Sequence, residues 1–476
     1  MRRLLRSPYD RQIMRLAVPA FGALVAEPVY ILTDTAIVGH LGTEQLAGLA
    51  VASAILLSAY AILIFLAYGT TGTVARLIGA GAHREAAHQG VQGLWLGAGL
   101  GVVVGTVLAL GAEPLVALFG AGGPVSDHAV TYLSISAVGM PAVLLTLAGT
   151  GYLRGLQDTR TPLLVAATTA IGNLVVELVL VYGADMGIAG SAWSTVGAQS
   201  CGAAVYVAMV TGAGRRLGAG LRPDPAALVA YARAGVALLV RTAALRAAFV
   251  LAALVAARIG TEDLAAYQIG FEVWALLALA LDAIAIAGQA MTGRYLGAGD
   301  AATARLAAGR MIELSAMFGG VVAVALLAVR PWVGEVFTDD PQVVSLSAFV
   351  LLHVALMQPL NGVVFAIDGI LIGAGDLRWL AQAMALCGVL FAVAAGAVLA
   401  TGAGLGWLWG ALWLLMTARA ATLAYRFSQD RWLVLGAPVA SSRPARSGGT
   451  TRSSGPAVST RWSGDALSPG GPAGSR

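Results

Sequence analysis

Residues 151–160 read GYLRGLQDTR, and residues 369–378 read GILIGAGDLR. The two stretches lie 218 residues apart. The same shift lays GTEQLA (42–47) on GTEDLA (260–265), RLIGAG (76–81) on RYLGAG (294–299) and Pro141 on Pro359. Four blocks hold one register without a gap. Chance likeness between apolar segments would not keep Gly, Asp, Arg and Pro aligned, so the chain repeats itself.

What repeats is a membrane unit. The chain has 476 residues, 58% hydrophobic and 11% charged, with a mean hydropathy of +0.81. Soluble domains carry about 25% charged residues. Apolar stretches long enough to cross a bilayer, about 20 residues each, recur throughout. The pattern predicts twelve spans near 12–38, 46–69, 91–113, 129–153, 162–182, 187–210, 234–257, 264–292, 306–329, 345–371, 379–401 and 406–427. Short alternating strands of a β-barrel are not seen, and the 61 glycines suit close helix packing. The predicted fold is an all-α polytopic membrane protein. An even number of spans returns the chain to its starting side. The two six-helix repeats are therefore parallel, around a central cavity. The N-terminal lobe is 1–210, a basic linker is 211–233, and the C-terminal lobe is 234–430. Residues 436–476, rich in Ser, Gly, Pro and Arg, read as a disordered basic tail.

All 29 basic residues are arginine, which with the Ala and Gly excess points to a GC-rich bacterial genome. With the N-terminus cytoplasmic, 25 arginines fall inside and two, Arg258 and Arg330, fall outside. Arg241 and Arg246 lie within the seventh span. The split predicts cytoplasmic termini in a bacterial plasma membrane. The N-terminal apolar run lacks an A-x-A cleavage site and reads as a retained first span. Tryptophans 332, 407, 409 and 432 lie near span ends, as an interfacial belt would.

Two lobes around a cavity suit a transporter that rocks between two openings. No lysine and no G-x-x-x-x-G-K-[ST] motif occurs, which excludes a nucleotide-driven pump of the P-loop type. Five histidines form no HExxH, and Cys201 and Cys387 stand alone, so neither an enzyme nor a metal centre is expected. His353 reads as a packed histidine.

Seven acids fall within predicted spans: Glu27, Asp34, Glu177, Glu272, Asp282, Glu313 and Asp368. An acid at the bilayer centre costs about 2.5–3.5 kcal/mol and normally faces a cavity or a partner. Glu27, Tyr30 and Asp34 share one helix face, with Thr33 and Thr35 beside Asp34. Tyr30 can donate to either acid. Desolvation disfavours the charged form of a carboxyl, so such a group can load and release a proton. The competing reading pairs these acids with Arg241 or Arg246. Asn173 and Glu177 lie one turn apart. Asp282 and Gln289 share a face of the eighth span, and Asn361 and Asp368 share one in the tenth. Thr150 is the repeat counterpart of Asp368. Glu272 and Glu313 lie near boundaries. Asp158 and Asp376 read as helix caps or partners of Arg160 and Arg378.

EPVYILTDTAIVGHLGTEQLAGLA, GYLRGLQDTRTPL, LAAYQIGFEVWALLALALDAIAIAGQ and the paired GAG loops resemble the multidrug and toxic compound extrusion (MATE) family. The likeness is to its DNA-damage-inducible protein F (DinF)-like branch and covers roughly 12–430. It implies twelve spans and cation-coupled antiport that exports amphipathic, often cationic, small molecules. By resemblance, Asp34, Asn173, Glu177 and Thr195 form the ion or proton coupling site. Pro19 then becomes the first-span hinge in place of Pro28. The family often has Asp where this chain has Glu177, and an amide where it has Thr150. Arg241 and Arg246 match a seventh-span RT pattern.

The expected substrate cavity comprises Glu27, Tyr30, Thr150, Asp282, Gln289, Asn361 and Asp368. The expected partners are a small-molecule substrate and the lipid bilayer, with no nucleic acid, for a monomer. No cofactor is expected; the coupling ion is H+, with Na+ at Asp34, Asn173 and Glu177 as the alternative. Rival readings are a lipid-linked saccharide flippase, which needs a basic cavity, and a non-transport membrane scaffold.

Overall fold

The computed structural model describes residues 7–437. Among them every regular element is helical. The first half holds α1 (Asp10–Gly39), α2 (Thr43–Leu63), α3 (Phe65–Gly79), α4 (His83–Leu110), α5 (Ala112–Leu118), α6 (Gly123–Val138), α7 (Met140–Gly155), α8 (Arg160–Leu178) and α9 (Gly187–Arg216). The second holds α10 (Pro225–Ile259), α11 (Thr261–Gly297), α12 (Ala301–Val333), α13 (Pro341–Ala374), α14 (Leu377–Thr401) and α15 (Leu405–Ser428).

The repeat register reappears in the helix ends. Shifted by 218, α2 and α3 together cover Thr261–Gly297, the bounds of α11. The halves differ where a helix breaks. Near Gly139 the chain bends by 49° between α6 and α7, whereas α13 runs unbroken through Pro359, the counterpart of Pro141. A proline alone therefore does not break this helix. α1 likewise continues past Pro19 and Pro28.

Among the described residues, ten helices are long and apolar enough to cross a membrane, or eleven with the α6–α7 pair as one span. The twelfth predicted span is α15, where Trp407, Trp409, Trp413, Arg419 and Arg426 dilute the apolar content. The segment expected as a linker at 211–233 is mostly helical. α9 continues to Arg216, and Asp224 caps α10 by accepting from Ala226 N at 3.0 Å, with Pro225 pre-set for the first turn. The expected tail begins as ordered chain, since Gly436 N donates to Leu296 O at 2.9 Å. Residues 438–476 lie outside the described residues.

The halves meet at one end of the bundle, here the proximal end, where α1 begins. There α3 and α11 cross with backbones in contact. A Cβ on Gly79 would lie 2.0 Å from Arg294 O, and one on Gly297 would lie 2.0 Å from Arg76 O. Arg76–Gly79 and Arg294–Gly297 are repeat counterparts, so the crossing is pseudo-symmetric. Around it, Arg310 grips both oxygens of Asp10 (2.7 and 2.9 Å). Tyr295 donates to Gln12 (2.9 Å), and Arg294 donates to Gln157 (2.9 Å). Arg76 donates to the carbonyls of Ala374, Val434 and Gly436. Among the described residues, hydrogen bonds and ion pairs joining the halves lie at this end or at mid-bundle.

Candidate functional site

A cavity of about 300 Å³ lies inside the bundle. It is not central. Its lining runs from Ala23 to Tyr206, all from the first half. The bend at Gly139 and the break at Ile64 open the first-half helices around it. Their second-half counterparts, α13 and α11, are continuous, and a slot of about 20 Å³ lies in that half among aromatic side chains such as Phe249, Phe271 and Trp409.

Asp34 sits on the cavity wall toward the distal end and is 5% exposed. Tyr132 donates to its Oδ2 at 3.1 Å, and Ser191 donates to its Oδ1. Thr33 and Thr35 do not serve it, because their hydroxyls bond back to Val29 O and Ile31 O of their own helix. Glu177 is fully buried, receives Asn173 Nδ2 at 3.2 Å, and faces the Asp34 carboxyl. Glu177 Oε1 and Asn173 Oδ1 are buried without a hydrogen-bond partner among the described residues. A π-helical turn, Val179–Gly183, follows at once, a local irregularity often found at functional sites. Thr195 joins through Tyr30: the two hydroxyls share a hydrogen bond, and Thr195 also donates to Ser191 O at 3.1 Å. Tyr30 is thereby directed to Thr195 and not to either acid on its own helix.

The structure thus brings Asp34, Asn173, Glu177 and Thr195 together. Glu27, Tyr30 and Thr150 also line the cavity. Glu27 has Tyr60 beside it and not an arginine. Tyr132, Ser191, Tyr60 and Arg154 were not singled out from sequence. Serine and tyrosine hydroxyls are too common in apolar helices to stand out. Arg154 reads as a loop residue.

The other four expected cavity residues do not line it. Asp368 is held by Arg241 at 2.5 Å and Arg419 at 2.7 Å, with little exposure on any of the three. That ion pair gives Arg241 a structural partner and closes Asp368 to a substrate. Asp282 accepts from Tyr68 at 3.0 Å, one side chain behind the cavity wall. Gln289 and Asn361 are packed in the second half, buried by the continuous α11 and α13. Arg246 is exposed. Glu313 pairs with Arg310 at 2.9 Å, and Glu272 accepts from Gln268 at 2.8 Å on an exposed face. Asp158 caps α8 through the Arg160 and Thr161 amides. Asp376 pairs with Arg426 rather than Arg378, because α15 packs against the start of α14. Trp332 and Trp407 are exposed as an interfacial belt requires, whereas Trp409 and Trp432 are buried. His353 is packed, accepting from Trp413 at 3.2 Å. No cluster of three or more His, Cys, Asp or Glu side chains is placed to hold a metal among the described residues.

The MatE family model matches residues 19–179 and 248–398, one stretch in each half. Protein DETOXIFICATION 44, chloroplastic, from Arabidopsis thaliana is 30% identical over 428 residues, covering 87% of this chain and 81% of that protein. DNA damage-inducible protein F of Escherichia coli K12 is 27% identical, covering 86% and 89%. A crystal structure of MATE in the bent conformation superposes with a TM-score of 0.81 at 21% identity, covering 90% and 97%.

Proposed function

The chain belongs to the MatE family of multidrug and toxic compound efflux transporters, and on that premise we propose that it is a proton-coupled antiporter exporting amphipathic small molecules by alternating access. The observation that carries this reading is the Asp34–Glu177–Asn173 cluster on the cavity wall. Two carboxyl groups face each other there, and two buried oxygens lack partners. Carboxyls in contact resist ionising together, so the pair is built to hold a proton between them. The same oxygens would suit Na+, the alternative coupling ion.

In this mechanism a substrate entering the cavity displaces the proton, and reprotonation from the opposite side expels the substrate. Asp34 sits on α1, so its protonation changes the link from α1 to Tyr132 and Ser191. Bending of α1 at Pro19, where a backbone bond is already missing, would then narrow the cavity. The arginine distribution supports a cytoplasmic proximal end. The crossing of α3 and α11 would then be the closed inner gate of an outward-facing state. The proposed setting is a bacterial plasma membrane, with the protein acting as a monomer.

The test is dye efflux from vesicles in which a pH gradient and a sodium gradient are imposed separately. Wild type should respond to the pH gradient, and Asp34→Asn should lose at least about tenfold of that response, as expected for removal of a transport-coupled charge. Unchanged proton-driven efflux in Asp34→Asn would overturn the mechanism. A response to sodium alone would move the coupling to Na+.

A further inference from the structure

We propose that residues 429–437 form a strap that holds the inner gate shut, with Arg76 as its clasp. This rests on the α3–α11 crossing being the inner gate of the proposed efflux cycle. After α15 the chain makes one short helical turn, Asp430–Trp432, and then runs along the proximal end. Three contacts tie it to the second half. Asp430 pairs with Arg305 of α12, the buried Trp432 stacks on Phe427, and Gly436 N donates to Leu296 O of α11 at 2.9 Å. From the first half, Arg76 of α3 reaches it. This side chain is 7% exposed, and it donates from Nε to Gly436 O at 3.1 Å and from Nη2 to Val434 O. Among the described residues, every hydrogen bond from the strap to the first half ends on Arg76.

The repeat separates what the frame requires from what is added to it. α15 starts at Leu405, the counterpart of Gly187 where α9 starts, but the two helices end differently. α9 runs to Arg216, whose counterpart is Val434, whereas α15 stops at Ser428, six residues short. In the first half the chain beyond α9 turns to α4 and continues into α10. There Trp95 donates to Leu221 O at 2.9 Å, and Gln92 donates to Arg222 O at 3.0 Å. In the second half the residues freed from the helix lie on the gate instead. The two crossing arginines differ in the same way. Arg294, the counterpart of Arg76, donates to Gln157 at 2.9 Å, and Arg76 donates to Ala374 O at 2.7 Å. Gln157 is the counterpart of Gly375, next to Ala374, so each arginine reaches the end of α7 or α13 in the opposite half. That link belongs to the frame. The two strap carbonyls are extra, and Arg76 alone of the pair holds them.

The strap therefore acts on the step that opens the gate. For α3 to leave α11, the Arg76 guanidinium must give up Val434 O and Gly436 O, which stay with the second half. Hydrogen bonds from a charged donor are about twice as strong as neutral ones. A contact made in one state alone shifts the equilibrium towards that state. Gly436 is the joint of the strap, since its N–H holds α11 and its carbonyl holds Arg76. Its φ is +87°, where glycine is free of strain and other residues are not. Proline there would remove the N–H and could not adopt that φ, so it displaces the strap without touching α3 or α11.

The test reads both ends of the full-length chain in nanodiscs by pulsed electron–electron double resonance. One spin-label pair sits at the proximal end on Arg84→Cys and Ala302→Cys, and a second sits at the distal end on Thr43→Cys and Thr261→Cys. All four positions are exposed, each pair is related by the repeat, and Cys201→Ser removes the exposed native thiol. Wild type should show mainly the short proximal distance. Gly436→Pro should raise the ratio of separated to closed populations at the proximal pair by at least about fivefold, the scale of one hydrogen bond to a charged group. The distal pair should shorten reciprocally. Gly436→Ala keeps the N–H and is strained only by its φ, so it should shift the ratio the same way by less. That variant decides if the proline one does not fold. In an Arg76→Gln background Gly436→Pro should change the ratio by less than about twofold, because the clasp is already gone, whereas in Arg294→Gln it should keep its full effect. No shift with either Gly436 variant, broadening at both pairs without reciprocity, or a full effect that persists in Arg76→Gln overturns the strap. Asp34→Asn separates the two levels. If it moves neither pair, the gate reading of the efflux cycle fails and the strap falls with it. If it moves both pairs reciprocally while the Gly436 variants move neither, the strap alone fails.

Discussion

The two halves of the molecule share a frame and divide the chemistry. Shifted by 218 residues, Glu27, Tyr30 and Asp34 fall on Leu245, Ala248 and Ala252, and Asn173, Glu177 and Thr195 fall on Phe391, Ala395 and Trp413. The first half bends its helices around an open, polar cavity. The second half keeps its counterparts straight and fills the space with aromatic rings. Of its two central acids, Asp368 is tied between two arginines and Asp282 accepts from Tyr68 of the first half. An acid in a membrane helix is thus not one kind of evidence. In the first half Glu177 Oε1 is left without a partner beside Asp34, which leaves capacity for a proton, an ion or a substrate. In the second half two guanidinium groups converge on Asp368 Oδ2 and neutralise it, which leaves a strut.

The largest expected effect breaks this contrast if it fails. Asp368→Asn keeps the side-chain volume but leaves Arg241 and Arg419 buried together without a counter-charge. It should cost about 3–5 kcal/mol, as removing one partner from a buried ion pair does. Thermal unfolding in detergent should show a large loss, with the folded fraction retaining its response to a pH gradient. Glu177→Gln should do the reverse, with nearly unchanged unfolding and lost gradient-driven efflux. If Asp368→Asn instead unfolds like wild type and loses coupling, the second half holds an ion site and the division is wrong.

The shared frame gives the next test. Ala at Gly79 or Gly297 would press a methyl group against a backbone oxygen of the other half. Overpacking of this sort costs about 1–3 kcal/mol, and the pseudo-symmetry requires the two variants to behave alike. Gly99→Ala, where a Cβ would meet nothing, should be silent. A strong effect at one crossing glycine and none at its counterpart would show that the gate is not symmetric.

The frame was more legible in sequence than the site. Repeated Gly, Arg and Pro positions carry register information directly, and the observed ends of α11 coincide with those of α2 and α3 shifted by 218. Asp34 and Glu177 stand out because acids are rare in apolar helices. Their partners do not, because the hydroxyls of Tyr132 and Ser191 cost little to bury and carry no spacing signal. Arg419 pairs with an acid 51 residues away across a helix interface, so local pattern cannot link them. Arg154 was hidden for a different reason. It sits at a helix end rich in arginine, where the positive-inside pattern accounts for any basic residue whether it faces water or the cavity.

The smallest effect bears on how the frame moves. Asp10 receives both hydrogen bonds of the Arg310 fork and also the Ser7 amide, at the proximal seam between α1 and α12. Asp10→Asn removes the charge but keeps a hydrogen-bonding side chain, and Glu313 still neutralises Arg310. Because the Asp10 side chain is partly exposed, the loss should be about 1 kcal/mol or less, and weaker at high salt. That is too little to unfold the chain but enough to shift a balanced conformational equilibrium about fivefold. A spin-label pair spanning the proximal seam would then show more of the separated population in Asp10→Asn than in wild type. An unchanged distance distribution would mean that the α3–α11 crossing alone sets the gate, which ties closure to the glycines and leaves the ion pair as a fastening on top of it.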